Sequence, residues 1–205
     1  MALSAQEKML RKIVERRPGW AFSQRDFARL APRGAIDTAL HRLQAKGRIR
    51  RVMRGIYDSP RHSGLLDVVM SPDIDQVASA LARKFGWRTQ PSGATAQNVL
   101  GLSTQVPAGH VYLSDGPDRS YDIGGTTLTF KHTALKEAGF RHRESALIVQ
   151  ALKSLGPDRI TPRHIARIRQ WLNPDLRERI LAETDTVTGW VYASIREICT
   201  EGERG

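Results

Sequence analysis

This sequence has few of the residues on which disulfide-bonded, metal-binding or membrane-spanning proteins depend. Cys199 is the single cysteine among 205 residues, which excludes an internal disulfide and a cysteine-based metal cluster and agrees with a reducing compartment. No stretch approaches the roughly 18 consecutive apolar residues of a spanning helix. The first residues lack the charged start and apolar middle of a signal peptide. We therefore expect a cytoplasmic protein without a membrane partner.

Acidic residues are scarce at the N-terminal end of the chain. Residues 1–64 hold 15 Lys and Arg but 5 Asp and Glu, a net charge of +10, whereas the remaining 141 residues hold 17 and 16, a net charge of +1. A basic excess is often only a solvated surface, but its concentration in one segment favours a polyanion as the ligand. The N-terminal third is therefore the part of the chain expected to bind nucleic acid.

The first 60 residues have the spacing of apolar and capping residues that is typical of a helix-turn-helix. Ser4 and Glu7 have the spacing of a capping box, and a first helix is predicted over residues 5–17. Ser23 caps a short second helix that includes Phe27 and Leu30. A third helix is predicted to end at a left-handed glycine. Its predicted buried stripe comprises Ile36, Ala39, Leu40 and Leu43, and the terminating glycine is Gly47.

A β-hairpin, or wing, is predicted directly after the third helix, where β-branched residues are interleaved with arginine over residues 48–57. In this plan the third helix presents side chains to base edges in the major groove, while arginines of the wing neutralise phosphates or enter the minor groove. Thr38 and His41 lie opposite the buried stripe and are the base-reading candidates, although His41 also fits an ordinary solvated histidine. The other predicted DNA contacts are Arg33 near the helix start, Arg42, and Arg48, Arg50, Arg51 and Arg54 in the wing.

Residues 39–57 resemble the end of the winged helix in AbiEi-type antitoxins. In that family a helix runs through a Lys-Gly-x-Ile step, here Lys46-Gly47-Arg48-Ile49, into a wing that ends in Arg-Gly-Ile/Val-Tyr, here Arg54-Gly55-Ile56-Tyr57. Pro60 completes the pattern Arg-Gly-Ile-Tyr-x-x-Pro. Downstream segments similar to the opening of the family's second domain are Pro91-Ser92-Gly93, Ala96, Asn98, Leu100-Gly101-Leu102-Ser103 and Val106-Pro107.

The resemblance implies a winged helix-turn-helix transcriptional regulator of a type IV toxin–antitoxin system. Such an antitoxin binds double-stranded operator DNA, represses its own operon and counteracts a nucleotidyltransferase-like toxin encoded beside it. The chain after Phe140 matches no motif of the family, and a stand-alone regulator without a toxin is the alternative. Two-fold operators require two copies of the module, which either a preformed dimer or two cooperative monomers supply.

The predicted fold class is α+β, with the winged helix-turn-helix over residues 1–60, a linker over 61–72 and a mixed α and β domain with a helical end over 73–205. In this second domain, apolar periodicity predicts helices at 75–85, 94–102, 143–155, 162–172, 174–182 and 187–199. Strands are predicted at 111–113 and 126–132, with a hairpin turn at 122–125.

The second domain lacks the patterns of known catalytic sites. Thr129-Phe130-Lys131 places a threonine where metal-dependent nucleases need a carboxylate, and Pro91–Thr95 lacks the Gly-Lys-Ser/Thr ending of a phosphate loop. His132, His142 and His164 are not spaced as metal ligands. We therefore expect no enzyme, no cofactor and no metal site. A nucleic-acid-processing enzyme and a protein-interaction adaptor are the rival classes. Two basic clusters in this domain fit either a longer DNA footprint, an acidic partner or a solvated surface; they comprise residues 141–143 and Arg163, Arg167 and Arg169.

Overall fold

The protein has a mixed α+β fold, as the sequence predicts. In the computed structural model the described residues are 3–16, 18–103, 109–133 and 140–200. The chain divides into two compact units. Unit 1 comprises Met1–Trp87 and Tyr121–Leu128, and unit 2 comprises Arg88–Ser120 and Thr129–Gly205.

Up to Trp87, the described part of unit 1 contains three helices and five short strands. The helices are α1 (Ala5–Val14), α2 (Arg33–Ala45) and α3 (Ile74–Phe85). The strands are β1 (Ala21–Phe22), β2 (Arg50–Met53), β3 (Ile56–Asp58), β4 (His62–Ser63) and β5 (Val68–Val69). An antiparallel sheet has the strand order β1-β3-β2, and β4 forms a separate two-stranded sheet with β5.

The first helix begins where the sequence places it but ends at Val14, before its predicted end at residue 17, and the third predicted helix forms as α2. Ser4 and Glu7 make the predicted capping box: the Ser4 hydroxyl accepts from the Glu7 amide, and the Glu7 carboxylate accepts from the Ser4 amide. These hydrogen bonds hold the pKa of Glu7 below its ordinary value. Gly47 follows α2 with a φ of +65°, the predicted left-handed conformation. The apolar faces meet in a core that includes Met9, Ile13, Phe22, Phe27, Ile36, Leu40 and Leu43.

The predicted second helix is a single 3₁₀ turn, Gln24–Phe27, rather than an α-helix. Ser23 caps it, as predicted, by accepting a hydrogen bond from the Arg25 amide at 3.2 Å. Phe27 is fully buried and packs edge-to-face on Phe22, with ring centroids 5.3 Å apart. This aromatic contact fixes the segment between the two longer helices, so that a short turn suffices.

Helix α3 packs on unit 1, whereas the predicted boundary at residues 61–72 places it in the second domain. Its Arg83 pairs with Asp26 at 2.7 Å and also donates to the Ala21 carbonyl at 2.8 Å. Val77 and Leu81 are buried on the same helix. These contacts join residues about sixty positions apart, and local sequence patterns carry no signal for them.

After α3, the described part of the chain contains a four-stranded sheet and five further helices. The strands are β6 (Thr89–Pro91), β7 (Gly109–Ser114), β8 (Arg119–Ile123) and β9 (Thr126–His132), in the sheet order β6-β7-β9-β8. The helices are α4 (Gly93–Val99), α5 (Arg143–Leu155), α6 (Pro162–Trp171), α7 (Arg177–Glu183) and α8 (Gly189–Cys199). Every helix predicted after residue 72 is present within a few residues of its predicted bounds. Strands β6 and β8 were not predicted, because they are short and rich in polar residues.

Unit 2 has its core around α5. Seven residues of this helix are buried, and they pack with apolar residues of α4, α6 and α8.

Glu183 at the end of α7 caps the start of α5. Its carboxylate accepts hydrogen bonds from the amides of Arg141 and His142 and from the Ser145 hydroxyl. A carboxylate at a helix N-terminus satisfies amides that have no partner within the helix.

Parts of two predictions lie outside the described residues. These are Arg17, at the end of the predicted first helix, and the Val106-Pro107 pair of the antitoxin resemblance. The predicted hairpin turn at 122–125 lies in the described part and is confirmed, since Gly124 and Gly125 connect β8 to β9 with positive φ angles.

Candidate nucleic-acid interface

Helix α2 has one buried side and one fully exposed side. Ile36, Ala39, Leu40 and Leu43 face the core with at most 3% of their surface exposed. The α2 residues predicted to contact DNA are all exposed: Arg33, Thr38, His41 and Arg42. At 100° per residue, Thr38 and His41 lie near the middle of the exposed side and Arg42 lies at its edge.

The hydroxyl of Thr38 is partly committed within the helix. It donates a hydrogen bond to the Gly34 carbonyl at 2.9 Å, the common pattern in which a helical threonine bonds the carbonyl four residues earlier. The residue is nevertheless exposed, and its hydroxyl oxygen can still accept a hydrogen bond. Thr38 therefore presents an acceptor and an apolar group to a ligand, which suits an exocyclic amine or a thymine methyl.

The hairpin formed by β2 and β3 is separated from α2 by four residues, and the other arginines predicted to contact DNA lie in it or just before it. Arg48, Arg51 and Arg54 are exposed, and no carboxylate pairs with their guanidinium groups within the part of the chain that the structure describes. Gly55 forms the turn with a φ of +75°, a conformation that favours glycine. Three cations without a carboxylate partner among the described residues therefore lie between the end of α2 and the turn of the hairpin, and Arg54 lines a groove that also includes Arg33 of α2.

Arg50 is placed differently from Arg48, Arg51 and Arg54. Its guanidinium makes two hydrogen bonds to the Asp58 carboxylate, at 3.0 and 2.5 Å, and a third to the Met70 carbonyl at 2.9 Å. Asp58 is 1% exposed and lies directly across the hairpin from Arg50. Arg50 therefore neutralises a buried carboxylate and is not available to a phosphate in this arrangement.

Arg33 has a weak acidic partner at the start of α2. Its guanidinium lies 3.9 Å from the Asp37 carboxylate, and both side chains are more than half exposed. With its amide oriented to satisfy both neighbours, Gln24 donates to Asp37 and accepts from Arg33. An exposed ion pair of this length contributes little to stability, so Arg33 can exchange Asp37 for a phosphate at small cost.

A groove of about 730 Å³ separates the start of α2 from the hairpin turn within unit 1. Four cationic side chains line it, whereas Asp37 is the one carboxylate in its described lining; the cations are Arg25, Arg33, Arg54 and Lys84. Lys84 comes from α3, and its ammonium group lies 3.4 Å from the Arg54 carbonyl. Burial and the neighbouring Arg54 lower the pKa of Lys84. A phosphate in the groove would offset the second of these effects.

Sequence reasoning missed Arg25 and Lys84 as members of this surface. The Arg25 guanidinium donates a hydrogen bond to the Lys84 carbonyl at 2.9 Å, and this bond links the two residues beside the groove. Their separation of 59 positions hides the contact from any local pattern. The basic character of the N-terminal third was the one signal that included Arg25.

The family comparison covers both units. A family model described as "Family of unknown function (DUF6088)" matches residues 8–180. The chain belongs to this family. No curated protein matches the sequence. The matched range includes α2, the β2–β3 hairpin and α3, together with the elements of unit 2 as far as α7.

In this DUF6088 protein one of the two basic clusters of unit 2, which comprises Arg163, Arg167 and Arg169, is partly committed to contacts within the chain. Arg169 donates to the carbonyls of Glu197 and Ile198 at the end of α8, which satisfies groups without partners in that helix. Arg167 donates to Gln170 at 3.3 Å, and Arg163 is exposed.

None of the helices in the described residues combines the length and apolar character of a membrane span.

Proposed function

We propose that this protein binds double-stranded operator DNA sequence-specifically, with residues up to Pro60 acting as a winged helix-turn-helix. Two observations carry the proposal. Helix α2 leaves the side opposite its buried stripe exposed, and three exposed arginines without a carboxylate partner among the described residues follow it in the chain. One of these arginines, Arg54, lines a groove together with Arg33 of α2. Cations held together without counterions repel each other, and a polyanion relieves that repulsion.

The roles of the side chains follow from their positions. Helix α2 enters the major groove, where Thr38 and His41 contact base edges and Arg42 reads guanine or holds a phosphate. Arg48, Arg51 and Arg54 of the hairpin contact the phosphate backbone or the adjoining minor groove. The helix determines the sequence preference, whereas the hairpin contributes most of the affinity.

The groove between α2 and the hairpin supports the same assignment. A phosphate there is within reach of Arg33 and Arg54 from the two DNA-contacting elements and of Lys84 from α3. It would fix the angle of the hairpin relative to α2, because cations from both sides converge on one anion. We accordingly add Lys84 to the residues that contact DNA.

A mobility-shift titration tests the proposal directly. The full chain is titrated on the DNA upstream of its own gene and on a scrambled duplex of equal length, at roughly 50 and 200 mM salt. We expect affinity for the upstream DNA to exceed that for the scrambled duplex at least about a thousandfold. Both affinities should fall steeply as salt rises, because phosphate neutralisation releases counterions.

The rival classes give different results in the same series. An interaction adaptor would bind both duplexes weakly or not at all, with negligible salt dependence. A nucleic-acid-processing enzyme would shorten the labelled duplex when Mg²⁺ or Mn²⁺ is added. Equal binding to the two duplexes would support DNA binding but would contradict sequence specificity.

We propose further that the DNA-binding activity belongs to an antitoxin. Support comes from the resemblance of residues 39–57 and of the segments from Pro91 to Pro107 to AbiEi-type antitoxins. Co-expression with a nucleotidyltransferase-like protein encoded beside this chain is expected to restore growth that the neighbour alone arrests. The same rescue by a DNA-binding-deficient variant would show that neutralisation does not depend on repression. If no such protein is encoded beside this chain, or if co-expression does not restore growth, the protein would be a stand-alone regulator without a toxin.

A further inference from the structure

The β4–β5 hairpin of unit 1 exposes an unusual amount of apolar surface. Eight large apolar side chains are exposed among the described residues, and five of them fall within six consecutive positions of this hairpin. They are Leu65 (94% exposed), Leu66 (67%), Val68 (48%), Val69 (50%) and Met70 (40%). Isolated exposed leucines are ordinary, but a contiguous apolar patch marks an interaction site. We call these five residues the hairpin patch.

The hairpin is fixed at its base and projects at its tip. Arg50 donates to the Met70 carbonyl, and the Met70 amide donates to the Arg61 carbonyl. Beyond this base, successive residues of a strand point to opposite faces, yet Val68 and Val69 are both about half exposed. Neither face of the hairpin is therefore fully covered by the body of unit 1.

A two-stranded sheet with both faces open gains little stability from its own contacts. Isolated hairpins are marginal in water, and β4 and β5 pair with each other alone among the described strands. Their outer edges present backbone groups that another strand can pair with. Contact with a second apolar surface would remove the hairpin patch from water and protect these edges.

Charge favours a second copy of this chain as that surface. Residues 62–70 contain Asp67 and no Lys or Arg, whereas residues 1–64 carry a net charge of +10. Copies that approach through most of unit 1 repel each other, but copies that approach through the hairpin do not face that charge directly. The absence of cations in this segment also makes it unsuitable for nucleic acid.

The available area is sufficient for a weak dimer. The two leucines at the tip and the apolar side chains of one face offer on the order of 400 Å² per copy, so a symmetric contact buries on the order of 800 Å², the range of weak and transient interfaces. A two-fold contact uses the same patch on both copies, and therefore needs no second complementary surface.

We propose that this protein forms a homodimer in which the β4–β5 hairpins of two copies pack their patches against each other about a two-fold axis. The dimer does not depend on the proposed DNA-binding function. It would supply the two copies that a two-fold operator requires.

Sedimentation equilibrium of the full chain tests the dimer without DNA. We expect a monomer–dimer equilibrium with a Kd on the order of 10 µM. Leu65→Ser/Leu66→Ser should raise this Kd at least about tenfold, because it removes the two most exposed leucines from the contact. The matched control is Val14→Ser on α1, whose side chain is 69% exposed outside the hairpin. It should leave the Kd unchanged.

A covalent test covers the case in which the serine variant folds poorly. Leu65→Cys should form a disulfide-linked dimer under mild oxidation, since Cys199 is buried and the new thiol lies at the proposed axis. Val14→Cys should remain monomeric under the same conditions.

Two results would overturn the proposed dimer. A chain that stays monomeric at about 100 µM, tenfold above the expected Kd, overturns the dimer; so does an equal yield of linked dimer from both cysteine variants. A monomer that sediments with phosphatidylcholine vesicles would assign the patch to a lipid surface instead. Binding to a half-site duplex reports separately on DNA recognition, and the serine variant should leave it unchanged.

Discussion

Replacing Arg48, Arg51 and Arg54 by alanine is expected to lower the affinity for upstream DNA about a hundred- to a thousandfold. Hydrogen bonds to charged groups contribute about 1.5–3 kcal/mol each, so removing even part of three such interactions produces this range. The slope of log affinity against log salt should fall by about three, because about one counterion is released for each phosphate that the protein neutralises. Filter binding across a salt series measures both quantities.

The control for this variant removes the same number of charges elsewhere. Lys8, Arg179 and Arg196 are exposed and lie outside the surface formed by α2 and the hairpin. Their triple alanine variant should change the affinity by less than about threefold, through the net charge alone. Equal losses of affinity in the two triple variants would mean that DNA senses only the total charge of the protein.

A helix variant separates specificity from affinity. Thr38→Ala/His41→Ala is expected to weaken binding to the upstream DNA by about 1–3 kcal/mol for each base that the helix no longer reads, while binding to the scrambled duplex stays unchanged. The alanine variant of Arg48, Arg51 and Arg54 should weaken binding to both duplexes. An equal decrease on the two duplexes in the helix variant would contradict the assignment of base reading to α2.

Arg50→Ala is expected to destabilise unit 1 by about 3–5 kcal/mol, because it leaves the Asp58 carboxylate buried without its partner. Asp58 is 1% exposed, whereas Arg50 keeps 29% of its side-chain surface exposed. The reverse variant, Asp58→Ala, should therefore cost less, since the freed guanidinium can turn towards water. Urea-induced unfolding followed by circular dichroism and by tryptophan fluorescence measures these differences.

Two comparisons make the stability prediction specific. Arg51→Ala, one residue along the same strand, should change the free energy of unfolding by no more than about 0.5 kcal/mol because Arg51 is exposed. Arg50→Ala/Asp58→Ala should be more stable than Arg50→Ala alone, since it removes the orphaned charge. If Arg50→Ala keeps full stability but loses DNA affinity as the other wing arginines do, the phosphate contact predicted from the sequence is correct.

Local signals predicted most of the helices. The capping residues Ser4 and Ser23 both accept the expected amide hydrogen bonds, because capping depends on residues within three positions of each other. The buried stripe of α2 and the glycine that ends it are likewise properties of one segment. The exposed positions of α2 followed from the same periodicity.

Contacts between distant segments were not predictable in this way. The second helix shortened to one 3₁₀ turn because Phe27 is held by Phe22 rather than by helical neighbours. Helix α3 joined unit 1 through Arg83 and its buried face, although the turn-rich residues before it suggested a linker. The outcome in each case depended on which surfaces of the folded chain meet.

Arg50 and Arg51 show the difference most clearly. Sequence alone determined that residues 48–54 are a basic strand and turn, since composition and alternation are local properties. It treated Arg50 and Arg51 as equivalent. Cross-strand register decided between them: Arg50 lies opposite the buried Asp58, whereas Arg51 lies opposite Tyr57 and faces solvent. Neighbours in a strand point to opposite faces, so one arginine became an internal counterion and the other remained available to a ligand.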